Sequence, residues 1–211
     1  TETRELFSVS SQHYAFVVNA FVSLLKRADM TRYELFLRET RTYEIIEDVK
    51  NFRSEIGVLF LNSYNRNVLT KMFDDNRLTY TSLFKARPHI FVSKSNPLAK
   101  HEVVSLEDLE DFPYLSYDQG IHNSFYYSEE ILSQIPHKKS IVVSDRATLF
   151  NLLIGLDGYT IATGILNSNL NGDNIVSIPL DIDDEIDIVY LKHEKATLSK
   201  MGEKFLDNLV K

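Results

Sequence analysis

Three short polar stretches hold most of the residues that could do chemistry: Ser10-Ser11-Gln12, Thr40-Arg41-Thr42 and Tyr117-Asp118-Gln119-Gly120. Their hydroxyls, amides and single carboxylate are groups that hold a small polar solute rather than cleave one. The first two stretches stand just before apolar helical patterns. Unpaired N–H groups and the positive end of the helix dipole make such a place an anion site. Ser10 or Ser11 is also expected to cap its helix, which does not exclude ligand contact. Thr40 and Thr42 raise the same choice. Arg41 can pair with a carboxylate through its planar fork, an exposed surface arginine being the plainer account. For Asp118 two accounts stand side by side. One is a carboxylate facing an ammonium group, since a carboxylate turned into a cleft needs a cation or several donors. The other is an Asx turn closed on its own backbone. Thr163-Gly164 ends a later strand, where a glycine permits close approach of the backbone. Ser144-Asp145-Arg146 reads as a helix cap with a first-turn acid.

The chemistry these residues leave out is equally informative. The six histidines (His13, His89, His101, His122, His137 and His193) include no i, i+4 pair of the kind that holds a metal. There is no cysteine, which removes disulfides, thiolate metal sites and a catalytic thiol together. No Gly-x-Ser-x-Gly, phosphate-binding loop, Gly-x-Gly-x-x-Gly or zinc motif occurs. We therefore expect no catalytic residue, no metal and no cofactor, and read the chain as a binding module rather than an enzyme.

The 211 residues suffice for one large domain or two small ones. A composition 44% hydrophobic and 25% charged is that of an ordinary globular protein able to build its own core. The net charge is −7, and the 23 Lys and Arg are scattered rather than striped. A nucleic-acid binder needs a basic face to neutralise phosphates, and this chain does not show one. No apolar run approaches the roughly 20 residues that span a bilayer. The opening Thr1-Glu2-Thr3-Arg4-Glu5 lacks the basic and apolar regions of an export signal. Together with the missing cysteines this fits a cytoplasmic setting.

Periodicity places these stretches on elements. Glu5–Ser10 reads as a strand, and Phe16, Val17, Ala20, Phe21, Leu24 and Leu25 mark one face of a helix. Tyr33–Leu37 is expected as a strand, Tyr43–Phe52 as a helix, and the continuous apolar run Ile56–Leu61 as a strand covered on both faces. A short helix at Asn67–Phe73 and strands at Leu78–Phe84 and His89–Ser93 follow, then a short capped helix at Ser105–Leu109. A second series reads strand Tyr114–Tyr117, helix Tyr126–Gln134, strand Ser140–Val143, helix Ala147–Ile154 and strand Gly158–Thr163. Strands at Ile175–Ile178 and Ile186–Leu191 and a helix at Leu198–Val210 close the chain. Repeated βαβ units predict parallel pairing with right-handed crossovers. Two such series predict two small α/β lobes, with ligands bound outside the carboxyl ends of their strands.

Read in order, several segments resemble a known family. These are FSVSSQHY, ETRTYEIIEDVKNFRSEIGVLF, HIFVSKSNPLAK, VSLEDLEDFPYLSYDQG and VSDRATLFNLLIGLDGYTIATGIL. Their succession is similar to the regulatory, effector-binding domain of LysR-type transcriptional regulators, which has the type-2 periplasmic-binding-protein fold. The chain departs from the family pattern at Thr40 and Arg41, Glu55, Asn96 and Asp157.

The resemblance implies an α/β fold of two Rossmann-like lobes with a ligand cleft between them. Lobe I would comprise residues 1–84, lobe II residues 85–172, and residues 173–211 would return to lobe I. It implies a small effector, anionic or amino-acid-like, contacted by Ser10, Ser11, Gln12, Thr40, Thr42, Tyr117, Asp118, Gln119 and Thr163. The Tyr117–Gly120 turn and the hydroxyl-rich first loop point within the family to regulators of sulfur-amino-acid genes. A homodimer, tetrameric at full length, is implied as well, with Phe16, Ala20 and Phe150 as candidate contacts that monomer burial explains equally well. DNA binding would belong to a winged helix-turn-helix preceding this domain. The alternative is a transporter's solute-binding protein of the same fold.

Overall fold

The structure is a computed structural model that describes residues 4–27, 31–166 and 172–210. Thr1-Glu2-Thr3, the start of the segment read above as lacking an export signal, lie outside the described residues. The chain folds as two compact units. Unit 1 comprises Thr1–Phe84 and Asp187–Lys211, and unit 2 comprises Lys85–Ile186.

Unit 1 is built on five strands: β1 (Glu5–Ser11), β2 (Tyr33–Glu39), β3 (Ile56–Leu61), β4 (Leu78–Ala86) and β10 (Ile186–His193), in the order β2-β1-β3-β10-β4. β1 runs parallel to β2, with Ser10 opposite Arg38, and parallel to β3, with Ser10 opposite Gly57. β10 returns antiparallel to β3. All six residues of β3 are buried, as an apolar run without alternation requires.

Alternation along β1 sends successive side chains to opposite faces. Phe7 meets Phe21 of α1 (Ala15–Arg27) and Phe205 of α5 (Lys200–Leu209), with ring centroids 5.9 and 5.7 Å away. On the other face Ser10 meets α2 (Thr42–Lys50), whose Ile45, Ile46 and Val49 are buried. α2 lies close against β3 there: a methyl group on Gly57 would come within 2.9 Å of both Ile45 and Val49 side chains. Glu55, just ahead of β3, accepts both the N–H and the hydroxyl of Ser199, which caps α5. The sequence departure at Glu55 thus fastens the last helix to the sheet. α3 (Arg66–Asp75) completes the unit.

Unit 2 has two small sheets. β5 (His89–Ser93) pairs antiparallel with β8 (Thr160–Ala162) and β9 (Ile175–Pro179), and β6 (Tyr114–Tyr117) pairs parallel with β7 (Ser140–Val143). α4 (Arg146–Leu156) packs Leu149 and Leu153 against Phe91, Leu115, Val143 and Ile175. α4 ends on Asp157 at φ 52, the left-handed cap that glycine usually supplies. Asn96, another departure, donates to the Asp157 carbonyl and accepts from Leu98, tying the loop after β5 to that cap.

Two expectations are corrected. The return segment begins at Asp187 rather than residue 173, because β9 completes the β5 sheet of unit 2. The helix expected over Tyr126–Gln134 does not form. A single 3₁₀ turn at Phe125–Tyr127 gives way to extended Ser128 and to Leu132 at φ 60. Pro136 disfavours helical geometry at Ile135, and Glu130 turns its carboxylate inward instead of to solvent.

Candidate effector site

In unit 1 the carboxyl ends of parallel strands β1, β2 and β3 bring together the loops that carry Ser10-Ser11-Gln12, Thr40-Thr42 and Asn62. Ser10, Ser11, Gln12 and Thr42 are all essentially inaccessible, at 1% exposure or less. Neither serine caps α1, contrary to expectation. Ser10 lies within β1 and points to the α2 face, where its hydroxyl donates to Asp48 Oδ2 and pairs with Ser54 Oγ, each at 2.7 Å. Ser11 donates to the carbonyl of Gln12 at 2.7 Å. Gln12 is the hub. Its Nε2 donates to Thr42 Oγ1 at 2.8 Å, while its Oε1 accepts the Tyr14 hydroxyl at 2.7 Å and the Phe60 N–H at 3.1 Å. One side chain thereby joins the loop after β1, the start of α2 and the middle of β3. Thr42 is the first helical residue of α2, not its cap. The cap position belongs to Arg41, which makes no side-chain capping bond. The Thr40 N–H donates to the Ser11 carbonyl at 2.9 Å, so these two loops are also joined through the backbone.

Asn62 and Asn65, which sequence reasoning missed, organise the third loop. Asn62 Oδ1 accepts from the N–H groups of Tyr64 and Asn65, and Asn65 Oδ1 accepts from Asn62 N–H at 2.8 Å. The Asn-x-x-Asn spacing after an apolar strand was the available signal, because short amides close turns on their own backbone.

In unit 2 the corresponding place is the carboxyl end of the parallel pair β6 and β7. Asp118 continues the ladder by donating its N–H to Val143 O at 2.8 Å. Its Oδ1 accepts from Gly120 N–H at 2.9 Å, which is the Asx turn, one of the two accounts given for Asp118, and Gly120 stands at φ 65. Gln119 is buried and donates to Glu129 Oε2 at 3.3 Å. The Tyr117 N–H donates to Glu130 Oε2 at 3.3 Å.

Glu130 is only 4% exposed. Burial, followed by the neighbouring charge of Glu129, raises its pKa well above the ordinary carboxyl value. No sequence signal marked it, since an acidic pair at the end of an aromatic run reads as a solvated face. Beneath β6, the His137 ring stacks on Tyr114 at 3.8 Å, and its Nδ1 lies 3.2 Å from the Tyr159 hydroxyl. Burial lowers the His137 pKa and pushes Tyr159 up to about 12.

Asp145 is itself the cap of α4, accepting from Thr148 N–H at 2.7 Å, and no acid stands in the first turn where one was expected. Buried Thr163 accepts from Ile165 N–H at 3.3 Å, and at Gly164 (φ 82) a methyl group would come within 2.5 Å of the His89 ring. Of the expected dimer contacts, Ala20 is buried in unit 1, Phe16 packs edge-on against Phe84 at 5.3 Å, and Phe150 packs on the unit 2 core. Among the described residues no group of three His, Cys, Asp or Glu side chains is placed to hold a metal ion, and no helix is long and apolar enough to cross a membrane.

The LysR substrate binding domain matches residues 11–211, nearly the whole chain, and the protein belongs to that family. No curated protein matches the chain by sequence. Among solved structures, the chain is similar to the effector binding domain of QuiR in complex with shikimate, at 17% identity over 99% of this chain and 96% of that one, with a TM-score of 0.63. It is also similar to the reduced OxyR regulatory domain from Pseudomonas aeruginosa, at 12% identity over 98% of each chain, with a TM-score of 0.68. A third likeness is to HinK, a LysR family transcriptional regulator from Pseudomonas aeruginosa, at 14% identity over 98% of this chain and 70% of that one, with a TM-score of 0.61. These likenesses show the fold: the chain has the α/β architecture of LysR effector-binding domains.

Proposed function

We propose that this chain is the effector-sensing part of a cytoplasmic LysR-type regulator and responds to a small anionic or amino-acid-like metabolite. The observation that carries the reading is the family match over residues 11–211. It also favours a regulator over a transporter's solute-binding protein. DNA contact belongs to a winged helix-turn-helix domain beyond this chain, and the regulator works as a homodimer, tetrameric at full length. No enzymatic step is assigned to it.

The effector is held by residues at the carboxyl ends of strands, the usual ligand position in α/β sheets. Unit 1 offers Ser10, Ser11, Gln12, Thr40 and Thr42. Unit 2 offers Tyr117, Asp118, Gln119 and Thr163. The buried hydrogen bonds of Ser10 and Gln12 give them the further task of holding the loop in one shape. Asp118 supplies the negative charge for an ammonium group. An effector related to O-acetylserine fits that arrangement and the sulfur-amino-acid resemblance.

A thermal-shift screen over a panel of carboxylates and amino acids tests this. Binding raises stability by about 2.7 kcal/mol at a hundredfold excess over Kd, roughly 5–10 °C for a chain of this size. Asp118→Ala and Thr42→Ala should each reduce the shift. A shift untouched by both substitutions refutes the residue assignment, and calorimetric titration giving no heat with O-acetylserine, cysteine, homocysteine or methionine refutes the narrower sulfur reading.

A further inference from the structure

Unit 1 contains a hollow apart from the strand-end loops. It has a volume of about 510 Å³, within the ordinary range for small-molecule sites, and it lies on the α2 face of the sheet beside the first residues of β1. Its walls combine two features.

The first is apolar surface left in water. Leu6, Phe36 and Phe52 are 66%, 41% and 62% exposed around this one hollow. Phe52 is the most telling, because it stands at φ 59, where a side chain is strained and glycine or asparagine is the usual occupant. No burial offsets that strain. Its ring instead lies 4.5 Å from the ring of His193, which also lines the hollow.

The second is a set of donors with little to do. The Arg53 guanidinium is 3.7 Å from Asp48 Oδ1, beyond hydrogen-bond distance, and makes no hydrogen bond among the described residues. Arg38 lies 4.9 Å over the Phe36 ring, and only its Nη1 is engaged, at 3.3 Å from both Arg53 O and Ser54 Oγ. His193 is 8% exposed, and its Nδ1 accepts the Lys195 N–H at 3.1 Å. That bond puts the ring proton on Nε2, which has no partner among the described residues. The nearby acids are already committed: Glu55 to Ser199, and Asp48 to Ser10.

We propose that this hollow is a second small-molecule site, taking an aromatic or branched aliphatic carboxylate whose apolar body lies between Phe36 and Phe52 and whose carboxylate meets Arg38, Arg53 and His193. Inorganic anions leave the aromatic walls unused, and neutral aromatics leave the guanidinium groups unused. Planar, bidentate recognition of a carboxylate is what an arginine fork provides.

The test uses phenylacetate as the probe, with phenylacetamide and phenethylamine as neutral and cationic controls, followed by calorimetry and by amide shifts in nuclear magnetic resonance. Phenylacetate should bind, perturbing amides around Phe36, Phe52–Ser54 and His193, and phenylacetamide should bind roughly tenfold or more weakly for want of a charge-assisted bond. Phe52→Gly suits the left-handed backbone and keeps the fold while removing one wall. It and Arg53→Gln should each weaken phenylacetate by about tenfold, whereas Asp118→Ala should leave the affinity unchanged. The proposal is overturned if phenylacetate does not bind at millimolar concentration, if the amide or amine binds as well, or if the wild-type affinity survives both Phe52→Gly and Arg53→Gln. Loss of binding in Asp118→Ala alone also overturns it, by assigning the probe to the strand-end loops.

Discussion

The loop after β1 in unit 1 and the loop after β6 in unit 2 occupy the same place in their respective sheets, yet they are held by different physics. The first is held by neutral hydrogen bonds that meet in one amide. Gln12 spends both ends of its side chain on Thr42, Tyr14 and the Phe60 backbone, at 1% exposure. The second leans on acids: Gln119 donates to Glu129, and the Tyr117 N–H to the buried Glu130. A neutral hub holds its shape at any pH. A buried carboxyl holds its shape most cheaply when protonated, so the two loops should respond differently to mutation and to pH.

The largest effect is expected at the neutral hub. Gln12→Leu keeps the volume but leaves the Phe60 N–H and the Tyr14 hydroxyl without their acceptor. Each stranded buried group costs about 1–3 kcal/mol, so the substitution should lower stability by about 2–3 kcal/mol in denaturant melts, by the same amount at pH 5 and pH 8. A loss that varies with pH would show that the loop depends on an ionised neighbour after all.

Glu130→Gln reverses both the sign and the pH behaviour. Burial and Glu129 raise the folded-state pKa of Glu130 above its ordinary value near 4.5. Such a group contributes its stability below the unfolded pKa and loses it as pH rises toward the folded pKa. Glutamine retains an oxygen for the Tyr117 N–H and carries no charge to desolvate. The variant should therefore melt higher than the parent above neutral pH and show no advantage at pH 4. An equal advantage at both would mean that the carboxyl never titrates there.

These contrasts were only partly legible in the sequence. The six residues of β3 declared themselves, because a continuous apolar run of that length has nowhere to go but a sheet covered on both sides. Ser10 and Ser11 were legible as polar residues at a strand end, but not as the partners they choose. Ser10 bonds Asp48, 38 residues away, and no local rule anticipates a bond of that span. The stretch from Phe125 to Gln134 misled for the opposite reason. Its apolar and acidic residues suit a helix locally, and the outcome was decided by Pro136 downstream and by the inward turn of Glu130, a tertiary event. Asp118 was legible as one of two things, and the local one is present in the structure.

A smaller effect separates backbone from side chain within the unit 2 loop. Gly120 stands at φ 65, so Gly120→Ala places a side chain in the left-handed region and should cost about 1 kcal/mol. The cost should appear in thermal melts and be independent of pH, since the strain is steric. If alanine is accepted freely, the turn can relax, and it is not the Asx geometry that shapes this loop.

Asp118→Asn is the mildest change and the most discriminating. Asparagine keeps an oxygen for the Gly120 N–H bond, now 2.9 Å, so the turn survives. Stability should change by less than about 0.5 kcal/mol. What is lost is charge. An effector that brings an ammonium group to this loop should bind more weakly to the asparagine variant, while a purely anionic effector should bind as well or better. Melts paired with calorimetry on the same variant therefore separate the turn-forming role of Asp118 from the electrostatic one proposed for it.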